Sequence, residues 1–299
     1  MRLDEGAVTG HGLQLLLARV DGWGAEHAAA AVVGPGGILA THGPSGHRFR
    51  WASVTKPATA LVTLIAADRG LLGLDEPAGP PGSTVRHLLA HASGLPFEGD
   101  AVLARPETRR IYSNPGFDAL GALVADRAGA PFEAALREWV LDPLGMTGTV
   151  LLERPSQGLH GSLDDLVALA AELLRPTLLR PDTARAATTP AFAGLPGVVP
   201  GVGRFDDCAW GLGVELHDDK APHWMGRKNS PAAFGHFGGA GTMLWIDPVA
   251  DLGLVVLSDR EFGPWALDAW PALSDDVLAV SSGHHDDHVI QPARHPNDQ

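Results

Sequence analysis

Strand-forming segments stand near both ends of this chain, and most of what lies between them reads as helix. The stretch AAAAVVGPGGILATHG (28–43) is two apolar runs around Pro35-Gly36-Gly37, a strong hairpin signal. Beyond about residue 190 the strand pattern returns in CAWGLGVEL (208–216), GTMLWID (241–247) and LGLVVLSD (252–259). In the middle, apolar spacing is helical from Ser53 to Arg69, with Ala60, Leu61, Leu64 and Ile65 at core positions. It is helical again over 84–91, 116–129, 131–141 and 162–175, and further helices are predicted at 11–20 and 264–280. The simplest architecture is α/β of the α+β kind. Residues 1–50 and 190–280 form a mixed sheet domain, and a mostly helical subdomain, 51–189, is inserted between its halves. Residues 281–299, SSGHHDDHVIQPARHPNDQ, are expected to be a disordered tail whose HHDDH run is solvated rather than metal-binding.

Composition narrows the function classes. A hydrophobic fraction of 45% and a charged fraction of 19% are ordinary for a globular protein. A net charge of −13 with no basic patch argues against a nucleic-acid partner. The longest apolar runs are broken by charge or glycine before membrane-spanning length, so no membrane partner is expected. The opening MRLDEGAVTGHG lacks an apolar core, which points away from a secretory signal and toward a cytoplasmic location. The single cysteine, Cys208, excludes an intramolecular disulfide and reads as a buried small hydrophobe. No cofactor or metal is expected, and the oligomeric state is not legible.

Lysine is scarce. Of 22 basic residues only Lys56, Lys220 and Lys228 are lysine, so Lys56 in RWASVTKPATA invites a role that arginine cannot fill. Arginine cannot release a proton near neutral pH; a buried lysine can. Ser53 stands three residues before Lys56 at a predicted helix start, on the same face, where a neutral amine could act as its base. With 12 serines and three lysines, about 0.12 such pairs are expected by chance. Pro57, lacking an N–H, requires the first turn to be irregular.

Two further constellations follow. Tyr112 is the only tyrosine, and Asn114 is one of three asparagines; their spacing in IYSNPG arises by chance about 1% of the time. A phenol beside a cation could have a lowered pKa and shuttle protons, and the carboxamide could bond both a lysine and a substrate amide. The bland alternative is a turn with a half-buried tyrosine. His236-Phe237-Gly238, followed by Gly239-Ala240-Gly241, stands just before a predicted strand and could lend a backbone N–H to an oxyanion. Alone that motif is weak, since about 1.7 His-x-Gly pairs are expected by chance.

The order Ser-x-x-Lys, Tyr-x-Asn, His-x-Gly resembles the serine β-lactamase and penicillin-binding-protein-like family, in its class C-type branch of β-lactamases, esterases and D-amino-acid peptidases. The framing segments VRHLLAHASGL (85–95), YSNPGFDALGALVADRAG (112–129), PLGMTGT (143–149) and GSLDDLVALAAELL (161–174) carry the resemblance over residues about 45 to 260. It implies a β-lactamase-like fold, an antiparallel sheet flanked by helices with an inserted helical subdomain. It also implies a serine hydrolase working through an acyl-enzyme. By the same resemblance Ser53 is the nucleophile, Lys56 its proton acceptor, and Tyr112 shares that role, protonates the leaving group and activates water. Asn114, His236, Gly238 and Gly239 would bind substrate, and the N–H groups of Ser53 and Gly239 would form the oxyanion hole. His91 and Ser93 in the HASG turn are read as structural.

Three departures point to a cytoplasmic hydrolase acting on a small ester, amide or short peptide rather than a dedicated β-lactamase. His236 stands where such β-lactamases carry lysine, only about 17 residues separate Ser93-Gly94-Leu95 from Tyr112, and no signal peptide is evident. Arg204 or Arg227 would be the alternative anchor for a substrate carboxylate. A D-amino-acid peptidase or β-lactamase, an acyltransferase, and an inactive ligand-binding homologue are the competing readings.

Overall fold

The computed structural model describes residues 5–282; the HHDDH segment lies outside the described residues. Among them the largest sheet has six strands, ordered Gly37–His42, Ala28–Gly34, Leu252–Ser258, Thr242–Asp247, Phe234–Gly238 and Glu215–Leu216. All its pairings are antiparallel, with Ala31 opposite Val255 and Leu244 opposite Val255 marking the central register. The sheet is thus assembled from both ends of the sequence. Every residue of Ala28–Gly34 is buried. Such burial on both faces explains why AAAAVV reads as an unbroken apolar run rather than an alternating one.

Each face supports its own core. Ala29, Ala31 and Val33 point into a core shared with the helices Thr55–Asp68 and Leu163–Leu174, while Ala28, Ala30 and Val32 pack toward Leu13, Leu17, Trp270, Leu273 and Val277. The latter residues belong to the helices Glu5–Leu17 and Pro264–Ser282. The first core continues into the middle of the chain, where Asn114–Ala128 packs on Thr55–Asp68 and Val85–Leu89. Ser113 caps Asn114–Ala128, its Oγ accepting the Gly116 N–H at 3.1 Å with Pro115 in the first turn.

Several predicted boundaries shift for identifiable reasons. Ser53 lies in a 3-10 turn, Ala52–Val54, ahead of the helix Thr55–Asp68, the irregularity that Pro57 imposes. The segment 131–141 is α-helical only over Phe132–Leu136 and becomes a π turn over Arg137–Leu141. The predicted strand 208–216 is mostly wrong: only Glu215–Leu216 joins the sheet. Gly213 is the cause. Its φ of +95° is outside any strand, and a Cβ there would stand 2.1 Å from the Ala60 Cβ. The loop instead lies against the helix Thr55–Asp68, with the Gly213 N–H donating to the Leu89 carbonyl at 3.0 Å.

Gly213→Ala should therefore destabilise the fold by about 2–4 kcal/mol, combining a left-handed backbone with overpacking. Chemical denaturation of the purified variant would read this, and an unchanged midpoint would show that the loop yields without cost.

Candidate active site

The sequence around Ser53 folds under tension. Ala52 holds a φ of +47°, an uncommon conformation for a residue with a Cβ, and places half-buried Ser53 at the head of the helix carrying Lys56. Lys56 is fully buried. Its ammonium donates to Ser53 Oγ at 3.3 Å, Asn114 Oδ1 at 2.5 Å and the Ser156 carbonyl at 3.0 Å, which matches all three protons to acceptors. Its Nζ also lies 4.7 Å from the Tyr112 ring centroid. Burial lowers the Lys56 pKa from 10.5 to about 7; Asp118 and Glu98 oppose that fall, and Arg154 adds to it.

Those three charged residues close a ring that sequence reasoning missed. Asn114 Nδ2 donates to Glu98 Oε1 at 2.7 Å, which fixes the amide with its oxygen toward Lys56. Arg154 bridges Glu98, at 3.0 and 3.1 Å, to Asp118 at 3.2 Å. Asp118 then accepts the Ser156 N–H at 3.1 Å, and the Ser156 carbonyl returns to Lys56. Glu98 follows the HASGLPF segment directly, but nothing in the sequence around Arg154 marks it as a partner. Asn114 lies beneath the pocket, 2% exposed, rather than on its wall.

Tyr112 corrects an expectation. Its pKa is raised, not lowered, because burial outweighs a hydrogen bond with Ser53. The phenol therefore stays protonated at any working pH. His236 Nδ1 lies 2.7 Å from the Phe237 carbonyl and donates to it, so Nε2 is free to accept the Tyr112 O–H at 3.4 Å. Burial, reinforced by Lys56, lowers the His236 pKa to about 3, leaving a neutral imidazole.

Gly238 ends the strand Phe234–Gly238 against the nucleophile's turn. A Cβ at this glycine would stand 2.4 Å from the Trp51 carbonyl, and Thr242 Oγ1 donates to that same carbonyl at 2.8 Å. Gly239 follows, and among the described residues its N–H has no backbone acceptor. Ser53, Tyr112, His236 and Gly239 share one cavity of about 260 Å³, walled by Phe97, Trp210, Phe237 and Phe262. Its charged lining residue, Glu215, is internally compensated: it accepts from Lys220 at 2.8 Å, His223 at 3.0 Å and the Trp224 indole at 2.8 Å. Burial alone would raise the Glu215 pKa, but Lys220 and His223 hold it well below the usual range. His91 stays outside this cavity; its Nδ1 accepts the Ser113 N–H at 3.1 Å and its ring lies 4.5 Å from that of Tyr112. Cys208 is buried, as its sequence context suggested.

Lys56 should leave a signature in stability. Between about pH 7 and 10.5 the unfolded chain holds its proton and the folded chain does not, so stability rises with pH through this window. Below pH 7 the full cost of the buried charge remains, on the order of 5 kcal/mol at about 1.4 kcal/mol per pH unit. Relative to Lys56→Met, the native protein should gain stability from pH 7 to 9.5 in parallel urea titrations. A pH-independent difference would mean that Lys56 remains charged throughout.

Comparison with known proteins agrees with this geometry. The β-lactamase family model matches residues 18–278. A crystallographic β-lactamase from Mycobacterium bovis is 50% identical, with a TM-score of 0.87, covering 89% of this chain and 99% of that one. Esterase EstB from Burkholderia gladioli is 32% identical over 144 residues, 33% of this chain and 37% of its own length. Penicillin-binding protein 4* from Bacillus subtilis is 27% identical over 139 residues, 36% of this chain and 31% of its own. Matches to these two curated relatives thus span about a third of their length. Simvastatin synthase from Aspergillus terreus, 18% identical with a TM-score of 0.72 over 94% of this chain and 96% of its own, shares the fold. With the family model spanning most of its length, and a β-lactamase-like fold around the Ser53–Lys56 pair, this chain belongs to the β-lactamase family.

Proposed function

We propose that the protein is a serine hydrolase that forms an acyl-enzyme at Ser53 on small esters whose reacting end is uncharged. The observation that supports this most is Lys56, fully buried, 3.3 Å from Ser53 Oγ, with a pKa of about 7. In its neutral form the amine takes the Ser53 proton as Oγ attacks the carbonyl carbon. The N–H groups of Ser53 and Gly239 receive the oxyanion. On collapse, Tyr112 gives its phenolic proton to the leaving oxygen and the Lys56 ammonium restores it. Water then enters, and the same groups run in reverse to free Ser53. Tyr112 acts here as a relay with a high pKa, and Lys56 is the base. Asn114 contributes by orienting Lys56.

Charge supports an ester as substrate. Neutral His236 stands where a fixed cation would hold a carboxylate beside the reacting carbonyl, and Glu215 is balanced by its own partners. The Mycobacterium bovis protein is described as a β-lactamase, so a β-lactam is a necessary arm of any test. A fluorophosphonate probe should label the native protein and not Ser53→Ala. Short p-nitrophenyl esters should be turned over faster than nitrocefin or D-Ala-D-Ala peptides. If nitrocefin were the best substrate of the panel, the ester reading would fail.

Three kinetic results should follow. The rate constant kcat/KM on p-nitrophenyl butyrate should rise with pH through about 7, as Lys56 loses its proton, with no limb from Tyr112 below pH 10. Lys56→Arg should lose at least about 10³-fold, because arginine keeps the charge and cannot accept the proton. Tyr112→Phe should lower kcat by about 10²–10⁴. A flat profile between pH 5 and 9, or an active Lys56→Arg enzyme, would remove lysine from the role of base.

A further inference from the structure

Beside the Ser53 cavity, on the other side of Phe97 and Tyr112, runs a second groove of about 310 Å³. Phe97 and Tyr112 line both. Large apolar side chains are left in water along it: Phe97 is 50% exposed, Leu103 52% and Val198 51%. Such a cluster on one surface marks a binding site more often than chance exposure. Three arginines line the same groove, and no carboxylate does.

Their state is unusual. Arg109 and Arg204 are exposed, and among the described residues neither forms an ion pair within 4 Å. Arg110 is 2% exposed and donates to the carbonyls of Ala90, Ala191 and Phe192, leaving its Nε without an acceptor. Asp207 is the carboxylate whose field reaches Arg110, and it is already bonded to the Gly194 N–H. In a chain of net charge −13, an apolar groove lined by guanidinium groups alone is complementary to an apolar chain that ends in an anion. Arg227 lies elsewhere, at the pocket of His217 and His223, which leaves Arg204 as the anchor of the two arginines considered from the sequence.

We infer that this groove is the leaving-group subsite, and that the preferred substrates are esters of alcohols bearing an apolar spacer and a terminal carboxylate or phosphate. This rests on the serine-hydrolase reading above. The direction follows from the relay: the departing oxygen must reach the Tyr112 hydroxyl, and Tyr112 is a wall shared by the Ser53 cavity and the groove. Hydrolysis then breaks the acyl–oxygen bond, water supplies the hydroxyl of the acid and the proton of the alcohol, and the anionic alcohol leaves along the groove.

The test uses butyrate esters of ω-hydroxyhexanoate, ω-hydroxyoctanoate and the matching ω-phosphoryl alcohols, each against its neutral counterpart (the methyl carboxylate or the dimethyl phosphate), with butyrate release followed by chromatography. The native enzyme should favour the best anionic ester at least tenfold in kcat/KM over its neutral counterpart, and less so at high salt. In Arg109→Gln/Arg204→Gln this ratio should fall to about one, and Arg204→Glu should invert it. A carboxylate or phosphate maximum identifies the terminal group. No preference in the native enzyme, or one that survives the double substitution, overturns the subsite. Failure of the chemistry is read separately: if no ester is hydrolysed, binding of ω-hydroxyoctanoate by calorimetry decides, and equal affinity in native and doubly substituted protein rejects the groove.

Discussion

A lysine ammonium sealed from water can persist only where each of its protons meets an acceptor, and that requirement organises the middle of this fold. The three acceptors of Lys56 come from three places: the 3-10 turn ahead of its own helix, the start of Asn114–Ala128, and the segment at Ser156. Displacing any one would leave a buried donor unmatched, at a cost of about 1–3 kcal/mol. The same geometry sets its ionisation. Burial drives the pKa down, and Glu98 and Asp118 pull it back from outside the pocket, with Arg154 tempering both. A value near neutrality is thus the residue of large opposed effects, and carboxylates outside the cavity's lining take part in it.

Trp51 fixes the nucleophile from the other side. Its N–H donates to the Leu159 carbonyl at 2.9 Å, its indole to the Gly161 carbonyl at 3.2 Å, and its own carbonyl accepts from Thr242 in the main sheet. It therefore ties the sheet to the helical middle one residue before the turn that carries Ser53. With Gly238 pressed against its carbonyl, little freedom remains for the backbone, which is how Ala52 can be held at positive φ. The cost of that conformation is carried by contacts on both halves of the molecule.

How much of this could be read from the sequence depended on whether a signal was local. The hairpin at 28–43, the strands at 241–247 and 252–259 and the helices between announced themselves through periodicity and punctuation, which are properties of neighbouring residues. The scarcity of lysine was informative beyond Lys56, since Lys220 is also buried, in the ion pair behind the pocket. Long-range effects were not legible. Tyr112 was expected to lose its proton readily because a cation is near, but the sequence could not weigh that cation against complete burial. The loop at 208–216 looked like a strand because its apolar pattern is compatible with one, and only the approach of Ala60 to Gly213 decides otherwise. Glu98, Arg154 and Asp118 are distant in sequence and meet only after folding.

The fold itself does not choose a substrate, since a simvastatin synthase shares it with this chain at 18% identity. What distinguishes members must then be where charge is cancelled and where it is left over. In this chain most charges near the reacting centre are balanced by a partner: Glu98 by Arg154, Glu215 by Lys220, and His236 by losing its proton. Such local pairing leaves Lys56 and the paired Glu215 as the charges that act on the groups lining the cavity, and their opposite signs suit the uncharged carbonyl of the proposed reaction. The guanidinium groups of the neighbouring groove lack that cancellation, although acidic residues outnumber basic ones 35 to 22. Low net charge at the chemistry and positive charge at a distance are therefore separate properties of the same surface. The first governs how readily the serine attacks, and the second governs which molecule is held there when it does.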